Sequence, residues 1–390
     1  KVPVQSNGTL EVSSVNLEEN STRLPVNYIT PPGVSRELMT GQPTYVRQNE
    51  QALSMKVTEL SPYDARAVYK NTSYDLRQYK QLQMFVHGEK IKNDMAYTPH
   101  DNDLSVFIRL GSDYRNNYYE YEVPLALTEY SGDGRKDFTA EEVWIPQSNT
   151  MNISLEALTN LKLERNKAKR AGESGVNFQT VYTKPDPNNN LNHISIVGNP
   201  SLAEVKTIMI GVRNKSNTVK SAEVWVNELR LSDFNESGGW AANANLNVAV
   251  SDLGTVNVGG RIETAGFGAL DQSLSERRID DFSQYNIATN IEWGKFFPEK
   301  AKVSIPMYYA YSKEMTKPQY NPLDQDIKLK DALDAVETKA EKDSIKNFSV
   351  DKTVIKSISF NNVKADIRSK NPMPYDPANF SFGYSFSQTK

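Results

Sequence analysis

The chain has 390 residues, with 45 lysines and arginines against 48 aspartates and glutamates, three histidines and no cysteine. This near balance of charge argues against a general nucleic-acid surface, and the lack of cysteine excludes disulfides and thiolate metal sites. No apolar stretch has the length of a membrane-spanning helix, and the N-terminal residues lack the pattern of a signal peptide. The length allows two or three domains, and the start at Lys1 predicts an internal fragment or a processed product.

Residues 1–70 are predicted to form an extended lead-in segment that lies on other structure and contributes one or two strands. The segment is rich in proline and asparagine, and its β-like pieces, such as residues 10–15, are short. Proline fixes φ and lacks a backbone donor, which disfavours long paired strands.

Residues 71–234 are predicted to form a jelly-roll-like β-sandwich, a cap or wall element of a larger assembly. Short apolar or alternating segments are separated by breaks rich in glycine, aspartate and asparagine. One helix is predicted from Ser154 to Arg170, because its leucines fall at helical spacing and Ser154 can serve as its cap. Many short strands with one helix are typical of such sandwiches. The predicted strands are 82–87, 104–110, 118–123, 142–145, 193–197, 205–212 and 222–231.

Residues 240–390 show a second pattern, of about six strands with a helical loop insertion near residues 330–347. Side chains of a strand alternate between its faces, so residues 240–250 present one apolar face and one face of amides. Apolar faces suit lipid and polar faces suit the wet lumen of a transmembrane β-barrel. The residues predicted to face the lumen are Asn243, Asn245, Asn247, Asn257, Asn286 and Asn290. Those predicted to face lipid are Leu246, Val248, Ile287, Ile291, Val303 and Ile305.

Short and long connections alternate along these strands. Residues 251–254 and 296–300 are short breaks, whereas residues 265–283 and 314–354 are long. Outer-membrane barrels have short periplasmic turns and long outer loops, so this alternation predicts that the preceding sandwich is extracellular. An aromatic girdle is predicted at Trp240, Trp293, Phe296 and Phe297, which lie at or near strand ends.

Six strands are too few to close a membrane barrel, because the smallest ones use eight. Unpaired strand edges are not tolerated in lipid. We therefore expect the chain to be part of a larger barrel. A soluble sandwich with one polar face remains the alternative interpretation of the same pattern.

Several strings resemble one protein family along nearly the whole chain. They are PPGV (31–34), NEQAL (49–53), DARAVYK (64–70), QYKQLQMFVH (78–87), AEVWVNELRL (222–231), ETAGFG (263–268), DFSQYNIATN (281–290), GKFFPEKAKVSIP (294–306), KPQYNPLD (317–324) and PMPYDPANF (372–380). The chain resembles the SprA (Sov) family, the outer-membrane translocon of the type IX secretion system of Bacteroidota.

The resemblance implies a very large single-chain barrel that exports folded cargo proteins to the cell surface and serves gliding motility. It implies as partners the remaining segments of the same barrel, outer-membrane lipid, a PorV-type partner barrel at a lateral opening, a periplasmic plug protein and the secreted cargo. Members of the family are several times longer than this chain. The function needs no catalytic residue, so we expect no enzyme activity, no cofactor and no metal.

Four other groups of residues are candidate functional sites. His100, Asp101 and Asp103 could bind a hard cation or simply shape a turn. Glu141, Glu142 and Glu228 could supply a glycosidase carboxylate pair, although sandwich edges are commonly acidic. Residues 266–268 are not a phosphate loop, since no Lys-Ser or Lys-Thr follows them. Arg277 and Arg278 could contact lipopolysaccharide, line the pore or be solvated, and the asparagine ladder could wet a conduit or bind internal plug elements.

Two other functions compete with the translocon. A glycan-binding cell-surface protein needs exposed, coplanar aromatic side chains, and Tyr118, Tyr119 and Tyr121 form the one obvious cluster. A TonB-dependent transporter needs an N-terminal plug domain, which the chain does not show.

Overall fold

The computed structural model describes residues 8–36, 38, 47–92, 94–273, 276–368, 370–371 and 373–390. The chain divides into two compact units, Lys1–Asn235 and Glu236–Lys390. Antiparallel strands dominate both units and helices are few, so the predicted all-β class is confirmed. Among the described residues, no helix is both long and apolar enough to cross a membrane.

The first unit is built from two antiparallel sheets. One has the strand order β1-β2-β11-β4-β7 and the other β3-β10-β5-β6-β9-β8. The strands are β1 (Thr9–Asn16), β2 (Gln51–Leu60), β3 (Ala65–Tyr74), β4 (Tyr79–Lys90), β5 (Leu104–Gly111), β6 (Tyr118–Pro124), β7 (Met151–Ser154), β8 (Tyr182–Asp186), β9 (Asn189–Val197), β10 (Val205–Asn214) and β11 (Lys220–Phe234).

Both sheets contribute to one core, which makes the unit a β-sandwich. Alternation sends Met84 and Val86 of β4 and Val106 and Ile108 of β5 into the same cluster of buried side chains. A second, smaller cluster surrounds Trp225 on β11. This second cluster includes residues from the first thirty positions, so the start of the chain covers a sheet rather than trailing beside it.

Four helices accompany these strands: α1 (Leu17–Asn20), α2 (Ala140–Trp144), α3 (Pro146–Asn149) and α4 (Leu155–Arg170). Helix α4 begins where the sequence predicts, with the Ser154 hydroxyl accepting a hydrogen bond from the backbone N–H of Ala157 at 3.3 Å. Its leucines at 155, 158 and 161 are buried in the sandwich core.

Two parts of the first unit differ from the sequence predictions. Residues 142–145 were predicted as a strand, but they belong to helix α2 and its C-cap. A capping box between Thr139 and Glu142 starts that helix, and Val143 and Trp144 are buried beside Trp225. The region predicted as a lead-in contributes three strands, β1 to β3, and β2 lies inside its sheet between β1 and β11.

The second unit contains one antiparallel sheet in the order β12-β13-β14-β16-β19, with β20 on the outer side of β19 and the short β15 also paired to β19. A hairpin of β17 and β18 and two helices fill the long connection before β19. The elements are β12 (Ala241–Val250), β13 (Gly254–Glu263), β14 (Asp280–Glu292), β15 (Val303–Ser304), β16 (Pro306–Pro318), β17 (Tyr320–Asn321), β18 (Asp324–Lys328), α5 (Leu329–Asp334), α6 (Lys339–Ser349), β19 (Asp351–Ala365) and β20 (Phe382–Thr389).

The predicted helix at 330–347 is divided into two. Thr338 caps the second helix through a hydrogen bond from the backbone N–H of Glu341 to its hydroxyl, at 3.3 Å. A capping residue adopts a non-helical conformation, so one continuous helix is interrupted there. The pairing of β19 with β20 shifts between Phe360 and Val363, which is the mark of a β-bulge.

Candidate functional site

One face of the second unit's sheet is lined by amides and hydroxyls. The register places Asn245 opposite Gly259 and Gly259 opposite Asn286, and it pairs Asn247 with Asn257. The six asparagines predicted to face a lumen therefore share one face. Further along the same rows, one row continues through Ser312, Ile355 and Thr389, the next through Ala310, Ser357 and Ser387, and the third through Tyr308, Ser359 and Ser385.

Gly259 lets this amide lining form across three strands. It is buried, although its neighbours on the face are largely exposed. A Cβ atom at Gly259 would collide with the side-chain amides of both Asn245 and Asn286. The two amides therefore occupy the space that any larger residue would need.

The opposite face is apolar through its middle. One row runs Leu246, Val258, Ile287 and Tyr311 and ends in Lys356 and Gln388, and the next runs Val248, Val256, Thr289, Tyr309, Ile358 and Phe386. Ile291 continues this face, opposite Gly254 and Met307. Val303, on β15, pairs with Ala365 of β19. Ile305 lies in the break between β15 and β16, and its backbone N–H donates a hydrogen bond to the Glu292 carboxylate.

Both faces of this sheet are exposed. Leu246 is 59 % exposed, Phe386 is 50 % exposed, and every residue of β12 and β20 is exposed. Within the part of the chain that the structure describes, the two large clusters of buried apolar residues lie in the first unit. Buried apolar residues of the second unit gather at the inserted helices, at Ile327, Leu329, Ala332 and Val336. The sheet itself therefore has no core.

Charges on the amide face collect toward the ends of the strands. Glu263, which is buried, pairs with Arg261 and with Arg278, the latter at 2.7 Å. Arg278, one of the two arginines that could contact lipopolysaccharide, thus forms an ion pair within the chain. Gly266 has a φ of +88°, where a side chain would be strained, so residues 266–268 form a tight loop.

The predicted girdle aromatics lie at the ends of the strands. Trp240 directly precedes β12, and its carbonyl accepts the backbone N–H of Thr264 at 3.0 Å. Trp293 and Phe296 follow β14 at the opposite end of the sheet, with ring centroids 5.5 Å apart. All four aromatics, including Phe297, are more than 40 % exposed.

The acidic and histidine candidates of the first unit have local partners. Asp103 accepts the backbone N–H of His100 and pairs with Lys220 at 2.7 Å, while Asp101 accepts the backbone N–H of Leu127. Burial acts to raise the pKa of Asp103, but Lys220 and the His100 hydrogen bonds hold it below its ordinary value. Among the described residues, no group of three or more His, Cys, Asp or Glu side chains could hold a metal ion.

The three glutamates weighed for catalysis also have structural positions. Glu142 closes the capping box of α2 and pairs with Arg135. Hydrogen bonds from the Thr139 backbone and from Arg135 lower the pKa of Glu142. Glu141 lies on the same helix, whereas Glu228 lies at an irregularity of β11, with a φ of +53°.

The tyrosines that would serve a glycan site are not on the surface. Tyr119 and Tyr121 point into the sandwich core, where they are 1 % and 3 % exposed. Tyr118 lies on the other face of the sheet, and the Arg109 guanidinium covers its ring at 4.1 Å. The structure therefore lacks, at these three positions, the exposed aromatic platform that glycan binding requires.

Sequence reasoning missed an ion cluster on the second sheet of the sandwich. Arg109 and Arg213 bracket Glu120 at 2.6 and 3.0 Å, and Arg213 also pairs with Glu122. Burial raises the pKa of Glu122, but the Ser105 hydroxyl and Arg213 outweigh it and hold the pKa below its usual range. The signal lay in the alternation of Arg and Glu on adjacent strands, but reading it requires the register.

A family model for motility-related and secretion proteins (SprA_N) matches residues 2–333. The chain belongs to this family. The match covers the whole sandwich and most of the antiparallel sheet of the second unit, so it supports the resemblance given by the sequence strings. No curated protein matches the chain.

Proposed function

We propose that this chain is a segment of the outer-membrane, protein-conducting translocon of the type IX secretion system, which exports folded cargo proteins to the cell surface. Membership of a motility and secretion family supports the general role. The observation that carries the specific role is the coreless sheet of the second unit, with an exposed apolar face opposite an exposed amide face.

Such a sheet needs two different environments. A contiguous exposed apolar face of this size is unusual for a soluble protein and marks a surface that contacts lipid or another protein. Lipid on the side of Leu246, Val248 and Ile287 and water on the side of the asparagines satisfy both faces at once. In this arrangement β12, β13, β14, β16, β19 and β20 span the outer membrane, and the amide face lines the conduit.

The strand edges support the first proposed partner. Strands β12 and β20 have a strand neighbour on one side only in the described part of the chain. Unpaired backbone groups are very costly in hydrocarbon, so both edges pair with the remaining segments of the same barrel. A PorV-type partner barrel, a periplasmic plug protein and the cargo complete the proposed set of partners.

The topology follows from the connections. Residues 251–253 form a tight turn at one end of the sheet, where the connections 293–305 and 366–381 also lie, whereas residues 264–279 and the longest connection, 319–350, lie at the other end. Placing the long connections outside the cell puts the sandwich outside as well. The proposal assigns no chemical step to any residue, and it is consistent with the local roles of Glu142 and Asp103.

Adjacent cysteine substitutions test the orientation of the faces. The chain has no cysteine of its own, so in a full-length protein whose other cysteines are replaced, Asn245→Cys and Leu246→Cys differ only in the face they report. We expect a membrane-impermeant maleimide that enters the conduit to label Asn245→Cys at least about tenfold faster, because lipid shields the other position.

The pair Asn286→Cys and Ile287→Cys, two strands away, is the matched replicate and should give the same ratio. Detergent unfolding of each variant must make all four thiols equally reactive, which controls for intrinsic reactivity. Equal labelling of both faces in intact membranes would exclude the membrane-spanning assignment, and inverted labelling would reverse the faces.

A further inference from the structure

Four lysines surround Val354 on the apolar side of the sheet. Val354 is directly opposite Lys313 on β16, and on its other side its backbone exchanges two hydrogen bonds with Lys390, at 2.8 and 2.9 Å. Lys352 and Lys356 lie two residues before and after it on β19, so they point to the same face. We refer to Lys313, Lys352, Lys356 and Lys390 as the lysine cluster.

The cluster is a concentration of uncompensated positive charge. In the described residues, none of the four ammonium groups lies within 4.0 Å of a carboxylate oxygen. The neighbouring acids Glu314 and Asp351 alternate onto the opposite face, and Asp281 faces Lys317, which lies outside the cluster. Like charges on neighbouring positions of a sheet repel one another, so a bound anion stabilises this arrangement.

Apolar surface continues directly from the cluster. The next residue on the same face after Lys356 is Ile358, which is opposite Tyr309 and Phe386. The following one is Phe360, opposite Met307 and Tyr384. A ligand that touches both regions must carry an anionic head and long apolar chains.

The position of the cluster selects the type of lipid. Lys352 is the second residue of β19, close to the long connection 319–350, and Lys356 lies four residues further along, in the row of Tyr311, so the cluster extends from the long-loop end of the sheet toward its middle. In the topology of the proposed function, that end is in the outer leaflet. Basic groups at a membrane interface bind phosphorylated head groups.

We propose that the lysine cluster binds the phosphate groups of an outer-leaflet glycolipid, the lipid A part of lipopolysaccharide, whose acyl chains lie on the adjoining apolar face. This inference rests on the membrane position assigned to the second unit under the proposed function. The lipid then holds positive strands of the wall at the level of the head groups and offsets their mutual repulsion.

The test measures binding of fluorescent diphosphoryl lipid A to full-length protein in neutral detergent micelles. The triple variant Lys313→Gln, Lys352→Gln and Lys356→Gln should weaken binding at least about tenfold. The matched control, Lys328→Gln, Lys339→Gln and Lys346→Gln, removes the same charge from the inserted loop and should bind like the natural protein. The triple variant Lys313→Arg, Lys352→Arg and Lys356→Arg keeps the charge and should bind like the natural protein.

Two competitors separate the possible ligands. Dephosphorylated lipid A should compete poorly, and inorganic phosphate at equal phosphate concentration should not displace the probe. Displacement by inorganic phosphate would assign the cluster to a free anion and overturn the lipid proposal. Equal binding of the dephosphorylated lipid, or unchanged binding by the glutamine variant, would also overturn it.

The cysteine pairs described above test the membrane position independently, so failure of the lipid site can be distinguished from failure of the proposed function. If Leu246→Cys is shielded in membranes but the lysine variants bind lipid A normally, the membrane assignment stands and the lipid site fails. If the glutamine variant does not fold, the two competitors decide on the natural protein, since displacement by inorganic phosphate or equal binding of the dephosphorylated lipid overturns the site.

Discussion

Individual buried charges in the sandwich are stabilised by specific partners. Glu122 is 7 % exposed, yet it receives the Ser105 hydroxyl and lies beside Arg213 and Lys215. The guanidinium of Arg213 also packs 4.5 Å from the centroid of Phe107, which closes the cluster from above. Burial alone would make a charged Glu122 carboxylate destabilise the fold. The surrounding cations therefore decide whether it raises or lowers the free energy of unfolding.

Glu122 should therefore make the stability of the first unit depend on acid pH. Its pKa in the folded state is below the unfolded value, so its contribution is complete above about pH 4.5 and is lost as the pH falls through the folded pKa. Glu122→Gln should lower the free energy of unfolding by about 1–3 kcal/mol at neutral pH, because Arg213 keeps Glu120 as a partner. The difference between the two proteins should shrink in acid.

Urea unfolding of the first unit, followed by the fluorescence of Trp144 and Trp225, measures this effect. Glu129→Gln is the control, since Glu129 makes a largely exposed pair with Lys90 at 3.6 Å. That change should move the free energy of unfolding by less than about 0.5 kcal/mol. A Glu122→Gln penalty that stays constant from neutral to acid pH would show that packing, not charge, sets its value.

At the scale of single elements, helix α4 is defined by its first residue. Ser154 accepts the N–H of Ala157, and the leucines that follow bury the helix against the sandwich core. Ser154→Ala should cost about 1 kcal/mol of unfolding free energy by removing that cap. Asn160→Ala, on the exposed side of the same helix, should be neutral or slightly stabilising, because alanine favours helix. Chemical unfolding of both variants checks the difference.

An equal loss in the two variants would mean that the cap has no special role. A loss in Ser154→Ala beyond about 2 kcal/mol would point instead to its place at the end of β7, where it pairs with Gln81.

Local signals in the sequence predicted elements well where nearby residues decide them. The cap at Ser154 and the alternation of β12 depend on a few adjacent side chains. Helix α2 was mistaken for a strand because Val143 and Trp144 are apolar, although its Thr139 and Glu142 box was visible in the sequence. Of the three strands within the first 74 residues, the β-like piece at 10–15 was predicted and lies in β1, whereas β2 and β3 depend on distant partners such as β11 and β10.

Register limited prediction of the site in the same way. Alternation alone placed the six asparagines on one side of their own strands. Only the pairing of strands shows that Gly259 lies between Asn245 and Asn286, and that three lysines of β16 and β19 and Lys390, just after β20, surround Val354. These groups are formed by long-range pairing, which a pattern within one strand does not contain.

At the scale of the whole chain, the two units satisfy their apolar surface differently. The sandwich encloses a core shared by both sheets, with Trp144 and Trp225 fully buried on its outer side. The second unit exposes Leu246, Phe382 and many similar side chains on an open sheet. The hydrophobic effect thus stabilises the first unit internally, whereas the second depends on what covers its face.

The two units should consequently behave differently when they are expressed separately. Residues 1–235 should give a soluble monomer that unfolds in one cooperative transition, because they bury their own core. Residues 236–390 should aggregate in water, because the apolar face and the outer edges of β12 and β20 are left open, and should disperse only in detergent. Each unit contains two tryptophans, so light scattering and fluorescence unfolding can follow both. A soluble monomer of residues 236–390 that unfolds cooperatively without detergent would falsify the interpretation that this sheet is part of a larger membrane barrel. It would favour the soluble sandwich instead.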